Sequence, residues 1–302
     1  MNISKVTRTA LAVVFLGAGG LLAQPYQDSF EQGYTFFDDA VGVVHVRPSG
    51  STAETDYAQG ISASNGSFYA RLTVQPGNNI NGDQSGVCTP GVLGSTSVSC
   101  GGPFTLWGLP FGNFTGVPIS GPSTPSIDIY LDTKFATNAN IAGKDYRFDW
   151  DSDLLDKKGN FLQDYTFNVA TAVPPEVSGC TSGFVIEASN NSQRGSANAH
   201  NTTPPNPGQL CIKTSGWYTF THEFGKDPSG NLVVYMSVTS IPGNTVIGTW
   251  TLHPKCLSGQ VSDGLCTLNA SVPYSAVGFN YLGWFPDQEI NDLAVDNLQK
   301  TP

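Results

Sequence analysis

The sequence has few positive charges and no long apolar segment after its amino terminus. Its 14 Lys and Arg residues are outnumbered by 24 Asp and Glu residues, and the formal net charge at pH 7 is −10. Because phosphate groups are bound by clustered Lys and Arg, this charge argues against nucleic acid and anionic membranes as partners. A membrane helix needs about 20 consecutive apolar residues. Since no run of that length occurs, no membrane insertion is predicted.

The usual metal and nucleophile motifs are also absent. No Cys-x-x-Cys or His-x-x-x-His spacing occurs, which argues against a zinc site. No Gly-x-Ser-x-Gly string accompanies the four histidines, which disfavours a serine hydrolase. His222 lies on an apolar strand face and is predicted to be a hydrogen-bonded core imidazole. The sequence therefore assigns no catalytic residue.

An acidic run begins at Asp149 and continues through Asp151 and Asp153. Oxygen ligands at this spacing are found in calcium loops, but Leu154 stands where an EF-hand requires Gly, and Asn160 where it requires Glu. The run is therefore interpreted as the polar face of a strand.

The amino terminus has the pattern of a secretory signal peptide. Lys5 and Arg8 precede an apolar run from Ala10 to Leu22, and Ala23 follows. We predict a signal peptide at residues 1–23 and a secreted protein that is extracellular, at the cell surface or periplasmic.

Six cysteines suit an oxidising compartment, although sequence alone does not fix their pairing. Proximity along the chain favours three local disulfides, each closing a polar loop. The predicted pairs are Cys88 with Cys100, Cys180 with Cys211, and Cys256 with Cys266.

Apolar and polar residues alternate at intervals from Tyr34 to Leu298, which is the period of half-buried strands. The chain also contains 34 Gly and 20 Pro, residues that suit frequent turns. Helical periodicity is nearly absent after the leader. These features predict an all-β fold, a two-sheet antiparallel β-sandwich of the jelly-roll type with long disulfide-stapled loops, and a single domain at residues 24–302.

Two terminal segments, QDSFEQG at 27–33 and NDLAVDNLQ at 291–299, resemble the first and last strands of concanavalin A-like jelly-roll domains, the lectin, glucanase and laminin-G-like superfamily. This resemblance implies a concave and a convex sheet and a structural calcium ion. The calcium ligands would be Asp28, Glu31 and Asp296. No particular activity is implied, because the fold hosts lectins, hydrolases, lyases and adhesion modules. The Glu-x-Asp-x-x-Glu motif of laminarinase-like members is missing, and so are the short motifs of the lyases.

Aromatic residues on the polar strand faces are the remaining functional signal. Sugar sites pair flat aromatic rings with planar polar groups, and such a pairing would line a shallow groove if these faces belong to one concave sheet. The candidate ligand-binding residues are Tyr130, Asp149, Trp217, Tyr235 and Trp284. The alternative interpretation is that these aromatic residues are buried between layers or under loops.

Three functions remain open at this point. The leading hypothesis is a non-catalytic secreted β-sandwich that binds carbohydrate or another extracellular ligand; it requires no cofactor, and the structural calcium that the resemblance implies is dispensable. The second is a polysaccharide-degrading enzyme that uses Asp149, Asp151 or Glu223, because carboxylates two residues apart on a strand have the separation that glycoside hydrolysis needs. The third is a structural surface protein without a ligand.

Overall fold

The structure, a computed structural model, describes residues 26–31, 42–51, 57–74, 105–106, 124–143, 146–155, 161–171, 180, 182–190, 210–226, 228, 232–252, 280–283 and 293–301. Strands make up most of these residues. In chain order the elements are β1 (Tyr26–Asp28), β2 (Gly42–Pro48), β3 (Phe68–Val74), β4 (Thr105–Leu106), β5 (Thr124–Leu131), α1 (Thr133–Ile141), β6 (Arg147–Leu155), β7 (Phe161–Thr171), β8 (Phe184–Asn190), β9 (Leu210–Ile212), β10 (Gly216–Lys226), β11 (Leu232–Ile241), β12 (Thr245–Leu252), β13 (Asn280–Gly283) and β14 (Leu293–Thr301).

The strands form two antiparallel sheets. The larger sheet has the order β12-β11-β10-β5-β14-β3-β2, with β1 paired to β14, and the smaller sheet has the order β4-β13-β6-β7-β8-β9. All of the strand pairs are antiparallel. The predicted all-β, two-sheet architecture is therefore confirmed. Several neighbours in the larger sheet are distant in sequence, since β5 lies between β10 and β14.

The hydrophobic core lies between the two sheets. Phe167 of the smaller sheet meets Phe220 and Trp250 of the larger sheet edge to face, at ring-centroid distances of 5.3 and 5.8 Å. Tyr165 and Phe224 meet in the same way at 5.7 Å. Edge-to-face aromatic pairs add about 0.5 to 1.5 kcal/mol each beyond the area they bury. These contacts hold the sheets face to face.

Side chains of β10 alternate between the core and the other side of the sheet. Phe220 and Phe224 are buried in the core, whereas Thr221 is half-buried and Glu223 exposed on the opposite face. This is the period of two that the sequence predicted for a half-buried strand. We call the side of the larger sheet that faces away from the smaller sheet its outer face.

The helix α1 was not predicted from the sequence. It begins after Asp132, whose side chain accepts hydrogen bonds from the backbone N–H groups of Lys134 and Phe135. The Phe135 ring packs edge to face on Tyr57 at 5.1 Å. The helix is short and only weakly amphipathic, so capping and this contact stabilise it more than its own periodicity does.

The structure contains the predicted Cys180–Cys211 disulfide, with a Cα–Cα distance of 5.6 Å. The other two predicted pairs and the signal peptide at residues 1–23 lie outside the described residues. The single-domain assignment of residues 24–302 stays a prediction. In the described part of the chain no helix has the length and apolar character needed to cross a membrane.

Candidate functional site

Two adjacent rows of polar side chains lie on an exposed part of the outer face. Register pairing places Glu223 of β10, Tyr235 of β11 and Thr251 of β12 side by side in one row. The neighbouring row contains Thr221, Ser237 and Thr249 from the same three strands. The two members from β12, together with Glu223 and Tyr235, are exposed, and the other two are half-buried. We call these six residues the open face.

Tyr235 is the aromatic residue of the open face and is 45% exposed. Its ring lies against Gly225, where an added Cβ atom would be 3.4 Å from Tyr235 Cε2. Because Gly225 has no side chain, the ring can lie close to the backbone of the sheet at this position. Glu223 is directly opposite Tyr235 on the adjacent strand.

The rest of the outer face lies beneath residues 57–66, which we call the covering segment. The indole Nε1 of Trp217 donates a hydrogen bond of 2.7 Å to the carbonyl oxygen of Ser62 in this segment. Trp217 is only 7% exposed, and its ring packs edge to face against Tyr130 at 5.4 Å and Tyr69 at 6.0 Å.

The expectation of an open aromatic platform at Trp217 is therefore corrected. Trp217 belongs to the packed core, which is the alternative that the sequence left open for these aromatic residues. Tyr130 is half-buried beside it. The fold does place Tyr130, Trp217 and Tyr235 on one face, as the sequence suggested, but only Tyr235 is exposed there.

Arg71 anchors the covering segment from below. The buried guanidinium donates to the carbonyl oxygens of Tyr57, at 2.9 Å, and Ala58, at 2.5 Å, and to the Tyr69 hydroxyl at 3.1 Å. Charge-assisted hydrogen bonds of this kind are stronger than neutral ones. This anchoring role was missed, because sequence alternation alone gave Arg71 a solvent-facing polar position.

Two carboxylates tether the tip of the covering segment. Asp128 and Asp296 lie opposite each other on β5 and β14. The Ser64 hydroxyl donates to Asp128 Oδ2 at 2.6 Å and to Asp296 Oδ2 at 3.1 Å. Asp296 Oδ2 also accepts from the backbone N–H groups of Ser64 and Asn65, at 2.9 and 3.0 Å. Both carboxylates are buried.

Burial shifts the acidity of this pair. Loss of hydration raises the pKa of Asp296 to about 7, and the neighbouring Asp128 carboxylate adds to the increase while hydrogen bonds oppose it. Burial also raises the pKa of Asp128. Two buried carboxyl groups that share a hydroxyl favour a state in which one of them is protonated. Their contacts give the pair a structural role.

Two of the predicted calcium ligands, Glu31 and Asp296, accept hydrogen bonds from the protein itself in the described structure. Glu31 Oε1 accepts hydrogen bonds from the N–H groups of Ser67 and Phe68, at 2.7 and 2.8 Å. Asp296 belongs to the tether, and the backbone of Asp28 pairs with Leu298. Within the described residues no group of three or more His, Cys, Asp or Glu side chains is suitably placed for a metal ion. The calcium set stays a prediction.

Asp149 and Asp151 lie on β6 in the smaller sheet, so Asp149 does not share a surface with the other predicted ligand residues. The prediction that one groove contains all of these residues is therefore corrected for Asp149. Both carboxylates are buried, with Asp149 accepting from Asn168 Nδ2 at 2.9 Å and Asp151 accepting from the Thr166 hydroxyl. They share a strand face, as predicted, but that face is covered. Trp284 lies outside the described residues.

His222 is a core imidazole, as predicted. It is fully buried, with Nδ1 2.9 Å from the Ser152 hydroxyl and its ring 4.9 Å from that of Phe167. Loss of hydration lowers the pKa of His222 to about 3. The imidazole is neutral at physiological pH and has a packing role.

No protein-family model matches the sequence, and no curated protein is similar to it in sequence. Among solved structures, the chain is similar to a PL-14 alginate lyase from Aplysia kurodai, with a TM-score of 0.37, 10% identity and coverage of 85% of this chain and 90% of that one. A carbohydrate esterase from the bacteriophage phi24B gives a TM-score of 0.43, 9% identity and coverage of 91% and 95%.

The exoplasmic/lumenal domain of VIP36 gives a TM-score of 0.40, 9% identity and coverage of 85% and 82%. Because all three identities are 10% or lower and all three TM-scores are low, no activity or site residue is transferred from these proteins to this chain.

Proposed function

We propose that this protein is a secreted, non-catalytic β-sandwich that binds carbohydrate through the open face. The observation that carries the proposal is Tyr235, which is 45% exposed, has its ring next to Gly225 and stands directly opposite Glu223 on the adjacent strand. Export is supported by the predicted signal peptide and by the Cys180–Cys211 disulfide, since disulfides persist in oxidising compartments.

The chemistry of the open face suits a sugar. A sugar ring has an apolar C–H face that packs on an aromatic ring, and its hydroxyl groups both donate and accept hydrogen bonds. Strands lie about 4.8 Å apart, and residues two apart on a strand about 6.7 Å. The six side chains therefore form a patch that suits a short oligosaccharide, with Tyr235 for stacking and the Ser, Thr and Glu groups for hydrogen bonding.

Binding without bond cleavage is supported by the positions of the carboxylates. Glu223 is the single Asp or Glu on β10, β11 and β12, whereas glycoside hydrolysis commonly uses two carboxyl groups that flank the scissile bond. Two further carboxylate pairs, Asp149 with Asp151 and Asp128 with Asp296, are buried. A polysaccharide-degrading activity therefore has less support than binding.

A glycan array with the mature protein tests the proposal. We expect Tyr235→Ala to lower the affinity for the bound glycan about tenfold, because the stacking surface is lost. The control is Ile141→Ala, which removes an exposed apolar side chain of α1, outside the larger sheet, and should leave the affinity unchanged. If the unmutated protein binds no glycan, the proposal is wrong.

Substitutions at Gly225 test the geometry of the platform. A methyl group at this position would be in ordinary van der Waals contact with the Tyr235 ring at 3.4 Å, so Gly225→Ala should retain binding. The larger side chain of Gly225→Val should displace the ring and weaken binding. Equal affinities for these two variants would contradict the role of the ring.

Assays for reducing ends and unsaturated products should detect no cleavage of the bound glycan, and a product of either kind would favour the enzyme.

A further inference from the structure

We infer that Glu223 makes the open face selective for neutral glycans over polyuronates. This inference rests on the proposed function and names the class of ligand that the same site takes. Three observations carry it: the position of Glu223 relative to the aromatic platform, the surroundings of its carboxylate, and the charge of the chain.

Glu223 is exposed and stands directly opposite Tyr235 in the β10–β11 register. Side chains directly opposite on adjacent strands have Cβ atoms about 5 Å apart. A sugar ring stacked on Tyr235 therefore lies within hydrogen-bonding reach of the Glu223 carboxylate. An ionised carboxylate only accepts hydrogen bonds, and its two oxygens can accept from two neighbouring hydroxyl groups of a neutral sugar.

A uronic acid residue in the same position would place a second carboxylate beside Glu223, and the two like charges repel each other. Two cations in the described part of the chain are directed away from this position. Lys226 lies three residues along β10, on the other side of the alternating strand. Arg71, on the outer face, is buried with its guanidinium against Tyr57 and Ala58. The formal net charge of −10 adds a repulsion of longer range that salt screens.

The test compares the affinities of the protein for a neutral β-glucan oligosaccharide and for a polygalacturonate oligosaccharide of the same length. For the unmutated protein we expect the neutral ligand to bind at least about tenfold more tightly than the polyuronate. Glu223→Gln should reduce this preference to about threefold or less, and Glu223→Lys should reverse it. Both substitutions are at an exposed position and should leave the melting temperature nearly unchanged.

Glu187→Gln is the matched control. It changes the net charge by the same amount at a half-buried position of β8 in the smaller sheet, and it should leave the preference as in the unmutated protein. Equal or tighter binding of the polyuronate by the unmutated protein would overturn the inference while leaving the proposed glycan binding intact. An unchanged preference in Glu223→Gln would also overturn it. Failure to bind any glycan would instead refute the proposed function.

Discussion

Asp128 and Asp296 lie opposite each other on adjacent strands, and both accept a hydrogen bond from the hydroxyl group of Ser64. The three residues come from β5, β14 and the covering segment, which are far apart in the sequence. This contact fixes the tip of the covering segment over the larger sheet. The covering segment therefore lies over the packed aromatic residues, including Trp217, and the open face around Tyr235 remains outside it.

Ser64→Ala tests the strength of this tether. The substitution leaves two buried carboxylates without a shared donor, which costs about 1 to 3 kcal/mol of unfolding free energy. We expect urea denaturation to show a loss of this size. Ser67→Ala, which removes an exposed hydroxyl of the same region, should change the unfolding free energy by less than about 0.5 kcal/mol. Equal losses in the two variants would show that the Ser64 hydroxyl does not stabilise the tether.

The predicted calcium site at Asp28, Glu31 and Asp296 is tested by a melting curve. An ion that binds only the folded protein raises the melting temperature by mass action, so a chelator should lower it and added calcium should restore it. In Asp296→Asn, which removes one of the charged ligands, the chelator effect should disappear. A melting temperature that is the same with and without chelator would show that no calcium ion binds at this site.

The buried His222 makes the free energy of unfolding depend on pH. Its pKa is about 3 in the folded protein, against 6.5 for an unperturbed imidazole, so the unfolded chain takes up the proton first. The stability conferred by the neutral imidazole is complete above pH 6.5 and decreases as the pH falls towards 3. The loss from this group should be about 2 kcal/mol between pH 7 and pH 5.

The double variant Ser152→Ala and His222→Phe should remove this acid-dependent loss. The contribution of Asp296 to stability depends on pH with the opposite sign. Because its pKa is raised in the folded protein, this contribution is present at low pH and is lost as the pH rises through about 7. The measurement is therefore the difference in unfolding free energy between the variant and the unmutated protein from pH 7 to pH 4. A difference that stays constant over this range would contradict the burial of a neutral imidazole.

The Cys180–Cys211 disulfide closes a loop with a sequence separation of 31. In the chain-entropy model, loss of such a bridge lowers the unfolding free energy by about 3 to 4 kcal/mol. The double variant Cys180→Ser and Cys211→Ser should show this loss in chemical denaturation under oxidising conditions. The unmutated protein treated with reductant should lose at least as much, because the reductant also opens the other predicted bridges. Unchanged stability in both experiments would show that the bridge does not restrict the unfolded chain.

The sequence predicted the faces of single strands well. In β10, the core position of Phe224 and the exposed position of Glu223 both follow from a period of two, which is a local property of an extended chain. The core assignment of His222 followed from the same alternation. The helix α1 was missed because its residues carry little helical periodicity, and its local signals were Asp132 before its first residue and Gly143 after its last.

The composition of the candidate site was less predictable. The sequence grouped Asp149 with Trp217 and Tyr235 because all three lie on polar strand faces, but β6 joins the smaller sheet while β10 and β11 join the larger. The burial of Trp217 depends on a hydrogen bond to Ser62, which is 155 positions away in the chain. The contribution of Gly225 to the platform is visible only once Tyr235 lies beside it.

The sequence by itself determined that the chain forms half-buried strands, which side chains point to opposite faces of each strand, and that Cys180 and Cys211 are near enough along the chain to pair. The tertiary structure decided which strands are neighbours, which face the covering segment closes, and that Tyr235 and Glu223 remain exposed together. The physical reason is that side-chain alternation depends on local backbone geometry, whereas strand order and coverage depend on hydrogen bonds and packing between distant segments.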